Sequence, residues 1–193
     1  IIKKFKKIKL IRNFKKNESK SGPHNQITGI LEAFKKSKGN IVCLMDSDDY
    51  FTQNKLFIID KIFNKKKFFN CIFNFPKSNK TQFKFRDKKS NFSIWPAIFP
   101  TSCISFRRSF FLKFIKYLEK NKFPQLEIDA RLTIFSSFFY KEYNVINKKL
   151  TFYNYDREGI TANINKFSKF WWIRRREAYI YLQHIMKKKK APF

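Results

Sequence analysis

The sequence has few acidic side chains, few cysteines and no long apolar run. Only 14 of its 193 residues are Asp or Glu, against 43 Lys and Arg. The three cysteines are far apart and form no CxxC pair, which argues against a disulfide framework and a zinc site. No run of about 18 apolar residues occurs, and the basic start lacks the features of a signal peptide. We therefore expect a cytoplasmic protein in a reducing compartment.

The composition is that of a folded chain despite the excess of positive charge. Apolar residues make up 43% and aromatic residues 19% of the sequence, which disfavours intrinsic disorder. A chain of 193 residues has the size of one domain. Without an internal repeat or a low-complexity linker, we predict one domain over residues 1–165 and a basic, aromatic helix over 166–193.

The formal net charge of +29 raises the possibility of a nucleic-acid partner, because Lys and Arg displace counterions from phosphate backbones. The 34 Lys residues far outnumber the 9 Arg residues, however, and base readout favours the planar guanidinium group. Lys, Phe, Asn and Ile are enriched together, as in an AT-rich genome. Codon bias and a membrane-facing surface therefore explain the charge better than nucleic-acid binding does.

Helical and strand patterns alternate along the first half of the chain. Apolar positions at helical spacing predict a helix over residues 26–38, with Gly39 as its cap. Residues 41–45 form an apolar run typical of a central parallel strand that is covered on both faces. A second helix, capped by Thr52, follows to about residue 65 with Leu56, Ile59, Ile62 and Phe63 on its buried side, and a second strand covers 68–75. This order predicts an α/β domain with a partly parallel sheet.

Three carboxylates follow the predicted strand directly, in the segment NIVCLMDSDDYF. They belong to Asp46, Asp48 and Asp49. Ligands of open α/β sheets bind outside the carboxyl ends of the strands, so these side chains indicate a site. Like charges this close repel one another, and a divalent cation relieves the repulsion. Oxygen ligands favour Mg²⁺ or Mn²⁺. The alternative is a solvated turn or a helix cap.

The order of the segments ITGILEAFKKSKG, NIVCLMDSDDYF and the helix after it resembles glycosyltransferase family 2, whose members have the GT-A fold. The resemblance covers residues 8–161. It implies a Rossmann-like α/β domain with a mixed, mostly parallel sheet flanked by helices. It also implies a nucleotide-diphosphate sugar as donor, a glycan or lipid-linked hydroxyl compound as acceptor, and Mn²⁺ or Mg²⁺ as cofactor.

The resemblance also gives the acidic residues their expected roles. Asp46 would lie near the donor ribose or the metal, Asp48 would coordinate the metal, and Asp49 would support the loop. In FPQLEIDARLTIF, the carboxylate that takes the proton from the acceptor hydroxyl would be Asp129 or Glu127, with Asp129 preferred. The usual pair in the family is adjacent, whereas one residue separates these two. A charge that only complements a helix terminus is the alternative.

Further candidates surround these carboxylates in the resemblance. Thr101 and Ser102, in PTSCISFRRSFF, correspond to the acceptor side. Trp95 would stack on a sugar or else belong to the core. His24 lies in a segment that faces the donor in the family, or it is simply a loop residue. Arg157, in YNYDREGIT, would meet the diphosphate.

The resemblance begins at the third strand of the family, so the chain is expected to be N-terminally truncated and to lack a sheet edge. Glycan assembly at the inner face of a bacterial plasma membrane is the expected setting. Residues 166–193 would either lie at an anionic membrane surface or pack on the domain. The competing hypotheses are an inactive fragment and a non-catalytic basic protein that binds nucleic acid or anionic membrane.

Overall fold

Helices and strands alternate in the computed structural model, which describes residues 8–11, 21–77, 98–119, 121–154 and 164–189. The helices are α1 (Gly22–Lys36), α2 (Lys55–Lys65), α3 (Arg108–Ile115), α4 (Ile128–Ile134) and α5 (Lys169–Lys189). The strands are β1 (Ile41–Cys43), β2 (Tyr50–Phe51), β3 (Cys71–Lys77), β4 (Ile104–Arg107) and β5 (Asn144–Phe152). A 3₁₀ turn (Thr101–Cys103) precedes β4, and a π-helical segment (Phe135–Phe139) continues α4.

The five described strands form one mixed sheet in the order β1-β4-β3-β5-β2. The predicted α/β class with a partly parallel sheet is therefore confirmed. The expectation of a mostly parallel sheet is wrong, because only β3 and β5 pair in parallel and the other three pairings are antiparallel. β4 causes the difference: it lies between β1 and β3 and runs opposite to both, so these two strands share a direction without pairing.

Strand β1 lies at the end of the described sheet, not at its centre as predicted. Its one partner among the described strands is β4, with Val42 opposite Phe106. The prediction that both faces are covered is correct. Val42 packs on the main core together with α1, whereas Ile41 packs on a smaller cluster that includes Ile59 of α2.

Helix α2 begins at Lys55, and the residue at its N-cap position is Asn54 rather than the predicted Thr52. The Thr52 hydroxyl donates instead to the Leu150 carbonyl, which ties the segment to β5. The buried face also differs from the prediction: Leu56, predicted inside, is 59% exposed, while the side chain of Lys55 is fully buried. The buried stripe therefore runs through Lys55, Ile59 and Phe63.

A buried arginine fixes the chain that leads into α4. Arg131 is fully buried, and its Nε donates to the Leu126 carbonyl at 2.9 Å. Its two Nη atoms donate to the carbonyls of Leu118 and Phe123. Five donors in a rigid fork suit this task, which a flexible ammonium group performs less well. The Arg131 side chain therefore holds the start of α4 in place, where Glu127 and Asp129 lie.

One face of helix α5 packs on the domain, as one of the two alternatives predicted. Ala178, Tyr181, Leu182 and Ile185 are buried against the core. The carboxylate of Glu177 accepts the Gln125 N–H at 2.9 Å, which joins α5 to the chain before α4. None of the helices in the described segments combines the length and the apolar character needed to cross a bilayer.

Candidate functional site

The candidate site lies at one edge of the sheet. Strands β1, β3 and β5 run in the same direction, because β4 is antiparallel to β1 and β3 and because β3 and β5 are parallel. The carboxyl ends of β1 and β5 and the start of β4 therefore lie at this edge. Ligand sites of open α/β sheets occupy the same position.

The acidic loop, residues 46–49, follows β1 at this edge and is held from both sides. The backbone N–H of Asp46 donates to Ser102 Oγ at 2.7 Å, and Gln26 Nε2 donates to Asp46 Oδ1 at 2.9 Å. The N–H of Asp49 donates to the Asp46 carbonyl at 3.3 Å, which closes a turn. Asp48 stands exposed at the tip of that turn. The loop thus presents one free carboxylate on a fixed backbone.

The carboxylates of the loop repel one another and are partly removed from water. Burial raises the pKa of Asp46, and the charges of Asp49 and Asp48 raise it further, while the Gln26 amide opposes the rise. Burial also raises the pKa of Asp49, against the hydrogen bonds from Ser102 and from the Asn154 N–H at 2.9 Å. A positively charged ligand would relieve this repulsion.

Lys55 contacts the segments that hold the acidic loop in place. Its Nζ donates to the carbonyl of Ser102 and, at 2.9 Å, to Thr151 Oγ1. The same amine lies 3.8 Å from the centre of the Phe51 ring. Burial lowers the pKa of Lys55 to about 8, although the nearby Asp49 acts in the opposite direction. Sequence reasoning missed this residue, yet position 55 precedes Ile59 by four residues and therefore shares its helix face.

A Lys55→Met variant tests the buried amine through the pH dependence of stability. The folded chain has a Lys55 pKa of about 8 and the unfolded chain the ordinary 10.5, so in this window the unfolded chain binds more protons. Wild-type stability should therefore rise relative to the variant with increasing pH, by up to ~1.4 kcal/mol per pH unit. Urea denaturation between about pH 8 and pH 10 measures the difference in unfolding free energy between the wild type and the variant. The exposed Lys61→Met is the control, and a pH-independent difference for Lys55→Met contradicts the assignment.

The two carboxylates at the start of α4, those of Glu127 and Asp129, have different surroundings. Glu127 is 4% exposed and forms a two-point ion pair with Arg174 of α5, at 2.6 Å from Nη2 and 3.1 Å from Nε. Burial raises the pKa of Glu127, and Arg174 opposes the rise. Asp129 has no such partner among the described residues, and its Oδ1 accepts the N–H of Ala130 at 2.6 Å.

Asp129 titrates near neutral pH because of its surroundings. Burial and then the charge of Glu127 raise its pKa to about 7, while Ala130 and Arg174 oppose the rise. The charge of Asp46 also raises this pKa. The two acidic segments, far apart in the sequence, therefore act on each other across one site.

Tyr153 lies directly after β5, and the charges of both acidic segments act on it. Its backbone N–H donates to the Lys77 carbonyl at 3.0 Å, which extends the β3–β5 pairing. Burial raises the pKa of Tyr153 to about 12, and the charges of all four site carboxylates raise it as well, in the order Asp49, Asp129, Asp48, Asp46. A phenol that stays protonated is thus placed among acceptors. Sequence reasoning missed it, although the end of a strand was the signal available.

The remaining predicted residues divide into three groups. Thr101 and Ser102 are buried and hold the acidic loop, Thr101 by accepting Gln26 Nε2 at 3.4 Å. His24 is 7% exposed in the first turn of α1, two residues from Gln26. Trp95 and Arg157 lie outside the described residues. Gln26 was not predicted, and nothing in its sequence context distinguishes it from other surface amides.

A groove of about 480 Å³ lies between α1 and β1 and ends at the acidic loop. Its walls are mainly apolar, with Ile30, Phe34 and Leu44 among them, whereas Gln26 and Asp46 line its polar end. A ligand bound to the loop could extend into this groove.

The acidic loop offers a metal ion oxygen ligands only. In the part of the chain that the structure describes, no three His, Cys, Asp or Glu side chains are grouped as a metal site. Magnesium needs fewer protein ligands at nucleotide sites, where one or two carboxylates act together with phosphate oxygens and water. Asp46 and Asp48 supply two such carboxylates on a fixed turn. The residues present therefore fit Mg²⁺ or Mn²⁺ bound together with a diphosphate.

No protein-family model matches the chain, and no curated protein matches it either.

Proposed function

We propose that this chain is a metal-dependent glycosyltransferase of the GT-A type, which transfers a sugar from a nucleotide-diphosphate sugar to a hydroxyl acceptor. The observation that carries the proposal is that the charge of Asp46, in the loop after β1, raises the pKa of Asp129 at the start of α4. Such a transfer needs one acidic group for the donor diphosphate and a separate one for the acceptor proton. The acidic loop and the start of α4 would supply these two groups.

The loop carboxylates would bind the donor. Asp48 and Asp46 would hold the divalent cation, which neutralises charge on the departing diphosphate. Asp49 and Lys55 act on the loop rather than on the donor, since both side chains are buried and bonded to neighbouring segments. The fixed backbone keeps the two metal-binding carboxylates oriented before the donor arrives, which reduces the cost of binding.

Asp129 would act as the general base. The acceptor oxygen attacks the anomeric carbon, its proton passes to Asp129, and the bond from that carbon to the diphosphate breaks. A pKa of about 7 suits the proton transfer, because a large fraction of the side chain is ionised at neutral pH and the carboxylate is still basic enough to accept. Glu127 is unsuited to this role because Arg174 occupies both of its oxygens. A single displacement of this kind inverts the anomeric carbon.

Tyr153 would donate a hydrogen bond to the bound substrates. Burial and the charges of carboxylates in both acidic segments raise its pKa, which keeps its hydroxyl protonated. It therefore adds a neutral donor to a site that otherwise presents acceptors. The glycan or lipid-linked nature of the acceptor and the location at the inner face of a bacterial plasma membrane remain predictions from the family resemblance.

Release of nucleoside diphosphate tests the proposal without knowledge of the acceptor, since water can take the acceptor's place. The chain is incubated with Mn²⁺ and a panel of UDP- and GDP-sugars, and free UDP or GDP is measured. We expect release with at least one donor, and its loss in Asp48→Asn. Release no greater than in the variant, for every donor, would contradict the proposal and favour an inactive fragment or the non-catalytic basic protein.

A further inference from the structure

The outer face of α5 points away from the domain and carries large apolar side chains. Trp172 is 56%, Tyr179 51% and Ile180 39% exposed. These positions recur at seven and eight residues, so they lie on one side of the helix. The buried residues Tyr181 and Ile185 lie on the opposite side. Exposed apolar residues at this spacing indicate a contact surface rather than scattered surface residues.

Cations alternate with these apolar residues along the same face. Arg176 lies four residues after Trp172, and Lys187 follows Ile180 by seven. Neither forms an ion pair with any residue in the described segments. The neighbouring Arg174, in contrast, faces the domain and is committed to Glu127. Arg176 and Lys187 therefore leave their positive charge on the outer face of α5.

A groove of about 540 Å³ opens between this face and the segment before α4. Arg176, Lys187 and Lys122 line it together with the apolar side chains of Phe123 and Ile180. Its size and its cations suit a phosphate group.

Two acidic residues lie in or beside the groove, and both are already engaged. The carboxylate of Glu177 accepts the Gln125 N–H. Glu119 forms ion pairs with Lys122 at 3.3 Å and Lys188 at 3.0 Å. His184 lies 3.3 Å from Glu119, and burial and Lys188 lower its pKa. Positive charge therefore prevails in the groove through Arg176 and Lys187.

We propose that the outer face of α5 binds an anionic membrane surface, with a lipid headgroup phosphate in the groove. A helix that mixes exposed Trp, Tyr and Ile with Arg and Lys is suited to the boundary between headgroups and acyl chains. The net charge of +29 draws the chain to an anionic surface. Ile180, the aliphatic residue of the face, suits lipid rather than nucleic acid, since bases stack on planar side chains. This inference does not depend on the proposed catalytic activity.

Vesicle sedimentation with the full chain tests the inference. Phosphatidylcholine vesicles are compared with vesicles that also contain an equal part of phosphatidylglycerol. We expect binding to the anionic vesicles, with a blue shift of tryptophan fluorescence, and weak binding to the neutral ones. The Arg176→Glu/Lys187→Glu variant should bind about thirtyfold more weakly or worse, since it removes two cations that attract the anionic surface.

Two further variants make the test specific. Lys61→Glu/Lys65→Glu makes the same charge change on an exposed part of α2 and should retain most of the binding. Trp172→Ser removes an exposed apolar side chain without changing charge, and should weaken binding and abolish the blue shift. Equal losses in both charge variants would show non-specific attraction and overturn the proposal. Binding to single-stranded RNA but not to anionic vesicles would overturn it in favour of nucleic acid.

Discussion

Replacing Asp129 with Asn is expected to abolish sugar transfer and to make the protein more stable above neutral pH. The activity loss follows from the proposed role, because an amide cannot accept the acceptor proton. Loss of a general base typically costs 10²- to 10⁴-fold in rate. The stability gain follows from the surroundings, because burial and the charge of Glu127 disfavour an ionised Asp129.

The sign of the stability effect follows from the direction of the pKa shift. The pKa of Asp129 rises from the ordinary 3.8 to about 7 in the folded chain. Between these values the folded chain binds more protons than the unfolded chain, so stability falls as pH rises through this window. An Asn side chain does not ionise, so the variant avoids this loss of stability. Three pKa units would correspond to ~4 kcal/mol, and solvent access to the side chain reduces the expected gain to about 1–2 kcal/mol.

Urea denaturation at about pH 5 and about pH 8 measures the predicted gain, which should be larger at the higher pH. Asp60→Asn, at an exposed position of α2, serves as the control and should change stability by less than about 0.5 kcal/mol. Release of nucleoside diphosphate is followed in the same preparations. An Asp129→Asn protein that is less stable at the higher pH, or that keeps its activity, would refute the role given to this residue.

The sequence contained enough to predict the elements that carry the site, but not their neighbours in the sheet. The apolar run at 41–45 correctly indicated a strand covered on both faces. It could not show that β4 would pair beside it in the antiparallel direction, because strand pairing depends on residues far away in the sequence. The mostly parallel sheet was therefore the wrong expectation, although the loop after β1 lies at the predicted edge.

The part of the candidate site in which charged residues are adjacent in the sequence could be predicted. The part that depends on contacts between distant segments could not. Three carboxylates in four residues identify the acidic loop without a structure. The isolation of Asp129 depends on Arg174, which approaches Glu127 from a helix far along the chain. Tyr153 belongs to the site only because β5 ends at the same sheet edge as β1. No local pattern contains either fact.

The packing of α5 shows the same limit. Aromatic and basic residues alternate throughout this helix, and composition alone fits both a membrane helix and a packed one. In the fold, one face of α5 packs on the domain and the other is exposed. Ala178 and Tyr181 lie in the core, whereas Trp172 and Tyr179 lie on the surface.

Removing the carboxylate of Asp48 is expected to abolish donor binding while leaving the fold intact. Asp48 is exposed at the tip of the acidic loop, so its loss disturbs no buried contact. The metal would lose one of its two protein ligands, and a diphosphate would meet the remaining carboxylates without a cation between them. We expect at least a hundredfold weaker binding, a loss of about 2.7 kcal/mol or more. Ser47→Ala, an exposed change in the same loop, should bind normally.

Calorimetric titration of UDP and GDP into the wild-type chain and Asp48→Ala, with and without Mn²⁺, tests the central claim most directly. The proposed site predicts that one of the two nucleotides binds the wild-type chain only with Mn²⁺, and that this binding disappears in Asp48→Ala. No binding by either protein, or binding that is independent of Mn²⁺ and unchanged in the variant, would contradict a donor site at the acidic loop.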